Sequence, residues 1–382
     1  MGMMTALTLR SFPVLVKVSQ AAQQRVLVSQ HPLLQVDSLR DLFLFKVHDL
    51  PTKVQETLKL AAALGPSFPD NVVSKLVGPV EAAEHLNLAL TAGLLTSRSD
   101  CCGKLVWNFR HDSIHNAIYG LLEDPDEFAF QMGRKLLRKV EEEEVTWFML
   151  VILRLLVRGD EGSIQDKTER VVVASLCLEA ARKAVDFSGF HKSMKYLEFG
   201  ASVLGPRKWR EHYDLCLDLH NNLIEAYYGA AQFDKVEGLV TEVLSKVRWF
   251  DDSVHARMLR TLTLGTTKHT EEALDSGMET LSMLGEGMPA NPTKFDALSA
   301  ITKVNRLMKK NTDASILRRP FLTDQKKFST MMMLNILFVN AYFARPYLAV
   351  LISCRAIEMT LTDGVSIVSG LGFAGFGVII GR

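Results

Sequence analysis

The sequence predicts a mainly all-α protein: a winged-helix-like module followed by a tetratricopeptide (TPR)-like α-solenoid of antiparallel helix pairs. Three observations carry this prediction. Apolar residues recur at helical spacing through most of the chain, and in the second half the predicted helices come in regularly spaced pairs. In the first third, a short hairpin pattern follows three predicted helices.

The helix pairs define the repeat. They are predicted at 170–185 with 190–204, at 212–228 with 234–247, and at about 252–265 with 270–284. The second helices begin near Phe190, Phe233 and Thr270, which are 43 and then 37 residues apart. This spacing is typical of TPR-like arrays, in which each pair buries its apolar face against the next pair.

The first third has a different pattern. Helices are predicted at 53–64, at about 70–77 and at 80–92, followed by two short apolar runs around the polar turn SRSDCCG and then a helix HDSIHNAIYGLL. Three helices and a hairpin are typical of a winged helix, and the acidic EDPDE at 123–127 follows it. The predicted core of this module comprises Leu60, Ala63, Leu64, Phe68, Leu88 and Leu90.

The predicted domains are therefore an N-terminal segment of uncertain structure at 1–48, a winged-helix-like module at 49–122 and a helical array at 127–382. Residues 365–380 contain no charged side chain. Because a terminal repeat needs a polar outer face, the favoured interpretation is an array truncated at its C-terminus. The alternative is that this segment folds back into a groove of the array.

Composition restricts the class of protein. Lys and Arg total 44 and Asp and Glu total 43 in 382 residues, so the net charge is +1 and a globally basic nucleic-acid binder is not supported. Five scattered cysteines favour a reducing compartment. The most apolar stretch, 331–344, is shorter than the roughly 20 residues that span a bilayer. We therefore expect a cytoplasmic protein without a membrane partner.

No motif for catalysis or a cofactor is complete. Gly103-Lys104 is followed by Leu105, and Arg98 replaces the first glycine of a phosphate-binding loop. SGLGFAGFG at 369–377 matches G-x-G-x-x-G without the following βαβ unit, and is expected to be a closely packed helix. His111 and His115 lack the glutamate and third ligand of a zinc protease, and are expected to cap or anchor a helix. The sequence predicts no enzyme, cofactor or metal.

One segment is strongly basic. Residues 305–328 have seven basic side chains against Asp313 and Asp324, a local net charge of +5. The basic residues are Arg306, Lys309, Lys310, Arg318, Arg319, Lys326 and Lys327. One interpretation is an ordinary solvated linker between helices, and the other is contact with an acidic partner or with phosphate.

Several segments carry a resemblance to a known family. They include DLPTKVQETLKLAAALGPSF at 49–68, LVWNFRHDSIHNAIY at 105–119 and IEAYYGAAQFDKVEGL at 224–239. Together they resemble the predicted signal-transduction ATPases (STAND, AAA-like) of multi-sensor proteins that join a serine/threonine-kinase-like region, an ATPase and a histidine kinase. The layout is also similar to that of the maltose-regulon transcription activator.

The resemblance covers about residues 40–382. It implies that a winged helix, at 52–122, follows a nucleotide-binding core and that a helical sensor or scaffold comes next. Phe109, His111 and Asp112 match the family's F-x-H-D segment, which implies an inter-domain contact at these residues. The Walker A, Walker B and Mg²⁺-binding parts of the family do not occur in this sequence, so its ATPase activity does not carry over.

The favoured function is a non-catalytic protein-interaction or scaffold module that binds protein partners through the helical array. One alternative is a winged-helix DNA-binding regulator. It is disfavoured because its recognition helix, at about 80–92, has no Lys or Arg to neutralise phosphates. The other alternative is part of an ATPase whose nucleotide-binding core lies outside this chain, in which case ATP binds only there.

Overall fold

The computed structural model describes residues 39–187 and 189–381. The chain divides into two compact units, Met1–Glu142 and Glu143–Arg382. Both are built mainly from α-helices, so the predicted all-α class is confirmed. Of the segment 1–48 that we predicted to be uncertain, only the last ten residues lie within the described part, and they form a helix.

The described residues of the first unit, from Leu39 onwards, form six α-helices and three short strands. The helices are α1 (Leu39–His48), α2 (Thr52–Leu64), α3 (Asp70–Val77), α4 (Pro79–Thr91), α5 (Asp112–Tyr119) and α6 (Pro125–Lys139). The strands are β1 (Ser67–Pro69), β2 (Leu95–Ser99) and β3 (Leu105–Phe109). The predicted hairpin is present as the antiparallel pair of β2 and β3, with Leu95 opposite Phe109.

The strand β1 was not predicted. It pairs antiparallel with β3, so the sheet order is β1-β3-β2. Its three residues come after Gly65 and Pro66, and the φ of 118° at Gly65 lets the chain turn away from the end of α2. A strand this short has too few residues to show a two-residue period, and only its pairing with β3 defines it.

The core of the first unit contains four of the six predicted residues. Leu60, Ala63, Leu64 and Phe68 are buried. The prediction was wrong for Leu88, which is 38% exposed, and Leu90 is only partly buried. The buried face of α4 instead comprises Ala82, His85, Leu86 and Ala89. Packing of α4 against α2 and α3 selects this face, and the helix sequence has apolar residues on both sides.

The boundary between the units differs from the predicted one at 122–127. Helix α6 packs against α2 and α3, and it buries Phe130 and Leu136 within the first unit. The Lys139 ammonium also donates a hydrogen bond to the Leu76 carbonyl oxygen at 3.1 Å. The acidic EDPDE segment therefore begins a helix of the first unit, where Asp124 caps α6.

The second unit contains thirteen helices among its described residues. They are α7 (Val145–Leu156), α8 (Lys167–Asp186), α9 (Phe190–Val203), α10 (Lys208–Glu211), α11 (Tyr213–Gly229), α12 (Phe233–Lys246), α13 (Phe250–Thr266), α14 (Thr270–Met283), α15 (Lys294–Lys309), α16 (Asp313–Leu317), α17 (Gln325–Ala344), α18 (Pro346–Thr362) and α19 (Ser369–Ile380). The three predicted helix pairs correspond to α8 with α9, α11 with α12 and α13 with α14.

Two turns of the array have the same backbone conformation. Ala231 and Lys268 have positive φ angles of 56° and 67°, and each lies two residues before the second helix of its pair. Residues other than glycine rarely adopt this left-handed conformation. The two pairs therefore share a turn geometry as well as a length, which is an independent structural sign of a repeat.

The stack of pairs is interrupted once. Each first helix packs against the first helix of the next pair, from α8 to α11 and then to α13. The next helices in this order are α17 and α18, because α13 and α14 pack against α17. Helices α15 and α16 are an insertion between the third and fourth pairs, and α15 packs against α18. The sequence spacing is irregular because of this insertion.

The apolar C-terminal segment forms α19, which packs against α18. Phe376 is buried and Phe373 partly so, and Gly372 and Gly375 face Ala356 and Phe338 where added β-carbons would clash. Gly372 and Gly375 of the G-x-G-x-x-G match therefore allow the close helix packing that we expected, whereas Gly370 and Gly377 have no neighbouring atom within 4 Å of an added β-carbon. One face of this helix folds onto the array, as in the alternative interpretation. Truncation of the array stays a prediction.

Candidate functional site

A large open groove lies in the second unit, with a volume of about 1370 Å³. Helix α7, the C-terminal half of α8, the turn that follows α8, and helix α9 form its walls. Each of these elements contributes apolar side chains to the lining. The apolar lining residues are Leu150, Val151, Val157, Ala180, Ala184, Phe187, Phe190, Tyr196 and Phe199.

Two apolar side chains at the groove are exposed to solvent. Leu150 is 56% exposed on α7, and Phe187 is 88% exposed in the turn after α8. Trp147, one turn before Leu150, is 75% exposed. The opposite side of α7 is buried, with Phe148, Ile152 and other residues in the interior. Helix α7 therefore presents apolar side chains to the groove as well as to the core.

The groove has an excess of positive charge. Five Lys and Arg residues and one histidine line it, against a single acid, Glu198, which gives a formal net charge of +4 with neutral histidine. The basic residues are Arg154, Arg158, Lys183, His191, Lys192 and Lys195. Lys183 forms an ion pair with Glu179 at 2.7 Å, whereas Lys192 and Lys195 are exposed on the outer side of α9.

The one acidic side chain of the groove already has a partner. The Tyr227 hydroxyl of α11 donates a hydrogen bond to the Glu198 carboxylate at 2.5 Å. Burial, and then the Glu198 charge, raise the pKa of Tyr227, so its hydroxyl keeps the proton that it donates. Burial likewise raises the pKa of Tyr196 in the groove lining. Both phenols are therefore neutral at physiological pH.

Local packing fixes where α9 begins. The Phe190 ring lies against Gly229 of α11, where a β-carbon would come within 2.5 Å of the ring. Only glycine at 229 allows the ring this close. Because Phe190 is the first residue of α9, this contact sets the position of Lys192 and Lys195 along the groove.

The residues of the F-x-H-D match have local roles in the first unit. Phe109 is buried and its ring lies 5.8 Å from that of Phe68. The His111 ring caps α5 by accepting a hydrogen bond from the Ser113 amide at 3.2 Å, and Asp112 is exposed in the first turn. His115 anchors the same helix by donating from Nε2 to the Ala62 carbonyl at 3.0 Å. An inter-domain contact at Phe109, His111 and Asp112 stays a prediction.

The seven basic side chains of the segment 305–328 differ in their exposure and in their contacts. Arg306, Lys309 and Lys310 are exposed at the end of α15, and Arg318 is exposed after α16. The partly buried Arg319 donates to the Asn311 side chain at 2.8 Å, which places it against the end of α15. At the start of α17, Lys327 forms an ion pair with Asp363, and Lys326 lines a cavity of about 270 Å³.

A buried histidine in the array was not anticipated from the sequence. His220 of α11 is 2% exposed, and its Nδ1 donates to the Cys216 carbonyl at 2.6 Å. Its Nε2 lies 3.3 Å from the Lys208 ammonium and 3.5 Å from the Glu242 carboxylate, and the Trp209 ring lies beside it. Burial, followed by the Lys208 charge, lowers the pKa of His220 despite Glu242.

This arrangement predicts a loss of stability in mild acid. The unfolded chain takes up a proton on His220 below about pH 6.5, and the folded chain takes it up only at lower pH. The free energy of unfolding should therefore be highest above that pH and fall as the pH decreases towards 5. Urea denaturation across this range should show a weaker pH dependence for His220→Gln. The same change at exposed His191 is the control, and an unchanged slope in His220→Gln would contradict the prediction.

The groove was not identified from the sequence, because the side chains of α7, α8 and α9 that line it face one space only after these helices have packed. Leu150 occurs in an apolar run that is typical of a buried core, and Phe187 stands alone between Asp186 and Ser188. One signal was available in VTWFMLVILRLL, which is apolar around more of the helix than one buried face requires.

Comparisons with known proteins give little further information. No protein-family model matches the sequence, and no curated protein matches it. One solved structure is similar, a signal-transduction ATPase with numerous domains (STAND) with a tetratricopeptide repeat sensor from Pyrococcus horikoshii. The identity is 14% and the TM-score 0.30, over 90% of this chain and 56% of that one. The chain thus spans little more than half of that protein's length.

In 39–187 and 189–381, no helix is long and apolar enough to cross a membrane. Over the same residues, no three His, Cys, Asp or Glu side chains cluster in a way that could hold a metal ion.

Proposed function

We propose that this chain is a non-catalytic protein-interaction module, and that the groove between α7, α8 and α9 binds an acidic, partly apolar segment of a partner protein. The observation that carries the proposal is the combination of an apolar lining with a net charge of +4 in one open groove. The helical-repeat architecture supports it, since such arrays offer extended surfaces to their partners.

The apolar and the charged side chains of the groove would contribute to binding in different ways. Apolar side chains of the partner would cover Leu150 and Phe187, which removes exposed apolar surface from water. Carboxylates of the partner would meet Lys192 and Lys195, which speeds association and selects against basic segments. The Glu198 carboxylate, the acidic group of the groove lining, already accepts a hydrogen bond from Tyr227.

A peptide-binding experiment tests this proposal. Fluorescently labelled helical peptides of roughly 15 residues would carry leucine and phenylalanine on one face and either glutamate or lysine on the other. The full chain should bind the acidic amphipathic peptide, and bind the basic version much more weakly. Charge reversal by Lys192→Glu with Lys195→Glu should reduce affinity about tenfold, from the loss of two exposed ion pairs and the added repulsion.

The matched control is Lys309→Glu with Lys310→Glu, which changes the charge equally within the same unit but outside the groove. It should leave the affinity for the acidic peptide within about twofold, because most of the charge at that distance is screened by salt. The proposal is refuted if acidic amphipathic peptides do not bind, or if the two charge reversals weaken binding equally.

A further inference from the structure

The insertion between the third and fourth helix pairs presents a second, distinct surface. Helix α15 uses one face for packing, with Ala297 and Val304 buried in a cluster that includes Ile357 of α18. The inserted residues 294–321 contain seven basic side chains and two acidic ones, a net charge of +5. This charge is carried by a part of the chain that the repeat itself does not require.

The outward face of α15 combines apolar and basic residues along one line. Phe295, Leu298, Thr302, Arg306 and Lys309 follow at three- and four-residue intervals, and all of them are exposed. Residues with this spacing lie on the same side of a helix. The apolar members are at the N-terminal half of this face and the basic members at the C-terminal half.

The short helix α16 adds to the same end of the insertion. The hydrogen bond from Arg319 to Asn311 ties the chain after α16 to the end of α15, next to Lys310. Leu317, 85% exposed, and the exposed Arg318 directly precede this tie. An exposed leucine and an exposed arginine therefore join the cations at the end of α15.

The acids of the insertion do not cancel this charge on the face of α15. Asp296 is held in a capping box with Thr293 at the start of the helix. Asp313 lies in the first turn of α16. Lys303 forms an ion pair with Glu358 of α18 at 2.6 Å. The exposed cations of α15 beyond Lys303 are Arg306, Lys309 and Lys310.

We propose that this surface, defined by Phe295, Leu298, Arg306, Lys309, Lys310 and Leu317, binds peripherally to an anionic phospholipid membrane. Cations are attracted to the negative surface of such a membrane, and the apolar side chains beside them enter the interface. The sequence prediction of no membrane partner was based on the lack of a spanning segment, and peripheral binding needs none.

Phe187 lines a groove that can enclose a partner segment, whereas Phe295 and Leu317 project from the outward face of α15 and the end of α16, and this difference favours a lipid surface over an acidic protein. Phe295 and Leu317 are 83% and 85% exposed, so each projects into solvent and neither lies in a pocket. The residues that dominate protein interfaces usually fill pockets in well-packed contacts. A bilayer interface accepts side chains that project singly, because lipids adapt to each of them.

Vesicle co-sedimentation of the full chain tests this inference independently of the groove. Vesicles of phosphatidylcholine with about 30% phosphatidylserine supply the negative surface, and pure phosphatidylcholine vesicles are the uncharged comparison. We expect binding only to the anionic vesicles, and we expect it to weaken with added salt. Lys309→Glu with Lys310→Glu should weaken it by at least about tenfold, since each cation near the surface contributes roughly a factor of five.

The apolar contribution is tested by Phe295→Ser with Leu317→Ser, which should weaken binding several-fold without affecting the fold because both side chains are exposed. The groove variant Lys192→Glu with Lys195→Glu is the matched control and should bind the vesicles like the unmodified chain. The inference is overturned if the unmodified chain does not bind anionic vesicles, or if the variant with Phe295→Ser and Leu317→Ser binds them equally well. It is also overturned if the groove variant loses as much affinity for the vesicles as the variant with Lys309→Glu and Lys310→Glu.

Discussion

Replacing Leu64 by alanine is expected to destabilise the first unit by about 2–5 kcal/mol. Leu64 is the last residue of α2 and is 1% exposed. Its removal deletes buried apolar atoms and leaves a cavity beneath a helix that packs against α4, α5 and α6. Because domains are stable by only about 5–15 kcal/mol, this is a substantial part of the total.

The matched control is Leu88→Ala on the neighbouring helix α4. Both are leucine-to-alanine changes in helices, but Leu88 is exposed to solvent and should cost less than about 1 kcal/mol. Urea denaturation gives the two losses of stability, and hydrogen exchange of peptides from 52–119 shows whether the effect is in the first unit. Equal losses for the two variants would mean that the buried face of α4 is not the one described.

Replacing Gly277 by alanine is expected to destabilise the second unit by about 1–3 kcal/mol. An added β-carbon on α14 would come within 2.4 Å of the Leu337 side chain on α17. Leu337 is completely buried in the core shared by these helices, so it has little room to move. The cost of this overlap should exceed the roughly 0.8–1.0 kcal/mol that alanine gains over glycine within a helix.

Gly238→Ala on α12 is the matched control and should have the opposite sign. A β-carbon there meets no atom within 4 Å, so only the helical preference of alanine remains, and the melting temperature should rise. If Gly277→Ala also raises the melting temperature, α14 and α17 are not in close contact. The assignment of α17 as the next helix of the stack would then be wrong.

Helices were the part of this protein that could be predicted best. The pairs from α8 to α14 lie within a few residues of their predicted positions, because the apolar spacing and turn residues that define a helix are local. The hairpin between β2 and β3 was also predicted, since a polar turn between two apolar runs is local as well. The same local reasoning placed the cap of α5 at His111.

The candidate site could not be predicted in this way. The basic segment 305–328 was evident as charge, but the division of its seven basic side chains into exposed cations at the end of α15, a tethered Arg319 and a paired Lys327 depends on packing that the charge pattern does not show. The groove was missed because Leu150 on α7 and Lys192 on α9 face one space only after the helices have packed. Sequence patterns also do not show that the Glu198 charge is engaged by Tyr227.

The amino-acid sequence alone therefore established the helical class, most helix limits, the hairpin and the repeating pairs, because each follows from spacing within a short stretch of chain. Tertiary structure decided which side of α4 is buried, that α15 and α16 interrupt the stack, that β1 completes the sheet, and where the groove lies. These features depend on which surfaces meet. A helix with apolar residues on two faces can bury either one, and only packing against its neighbours makes that choice.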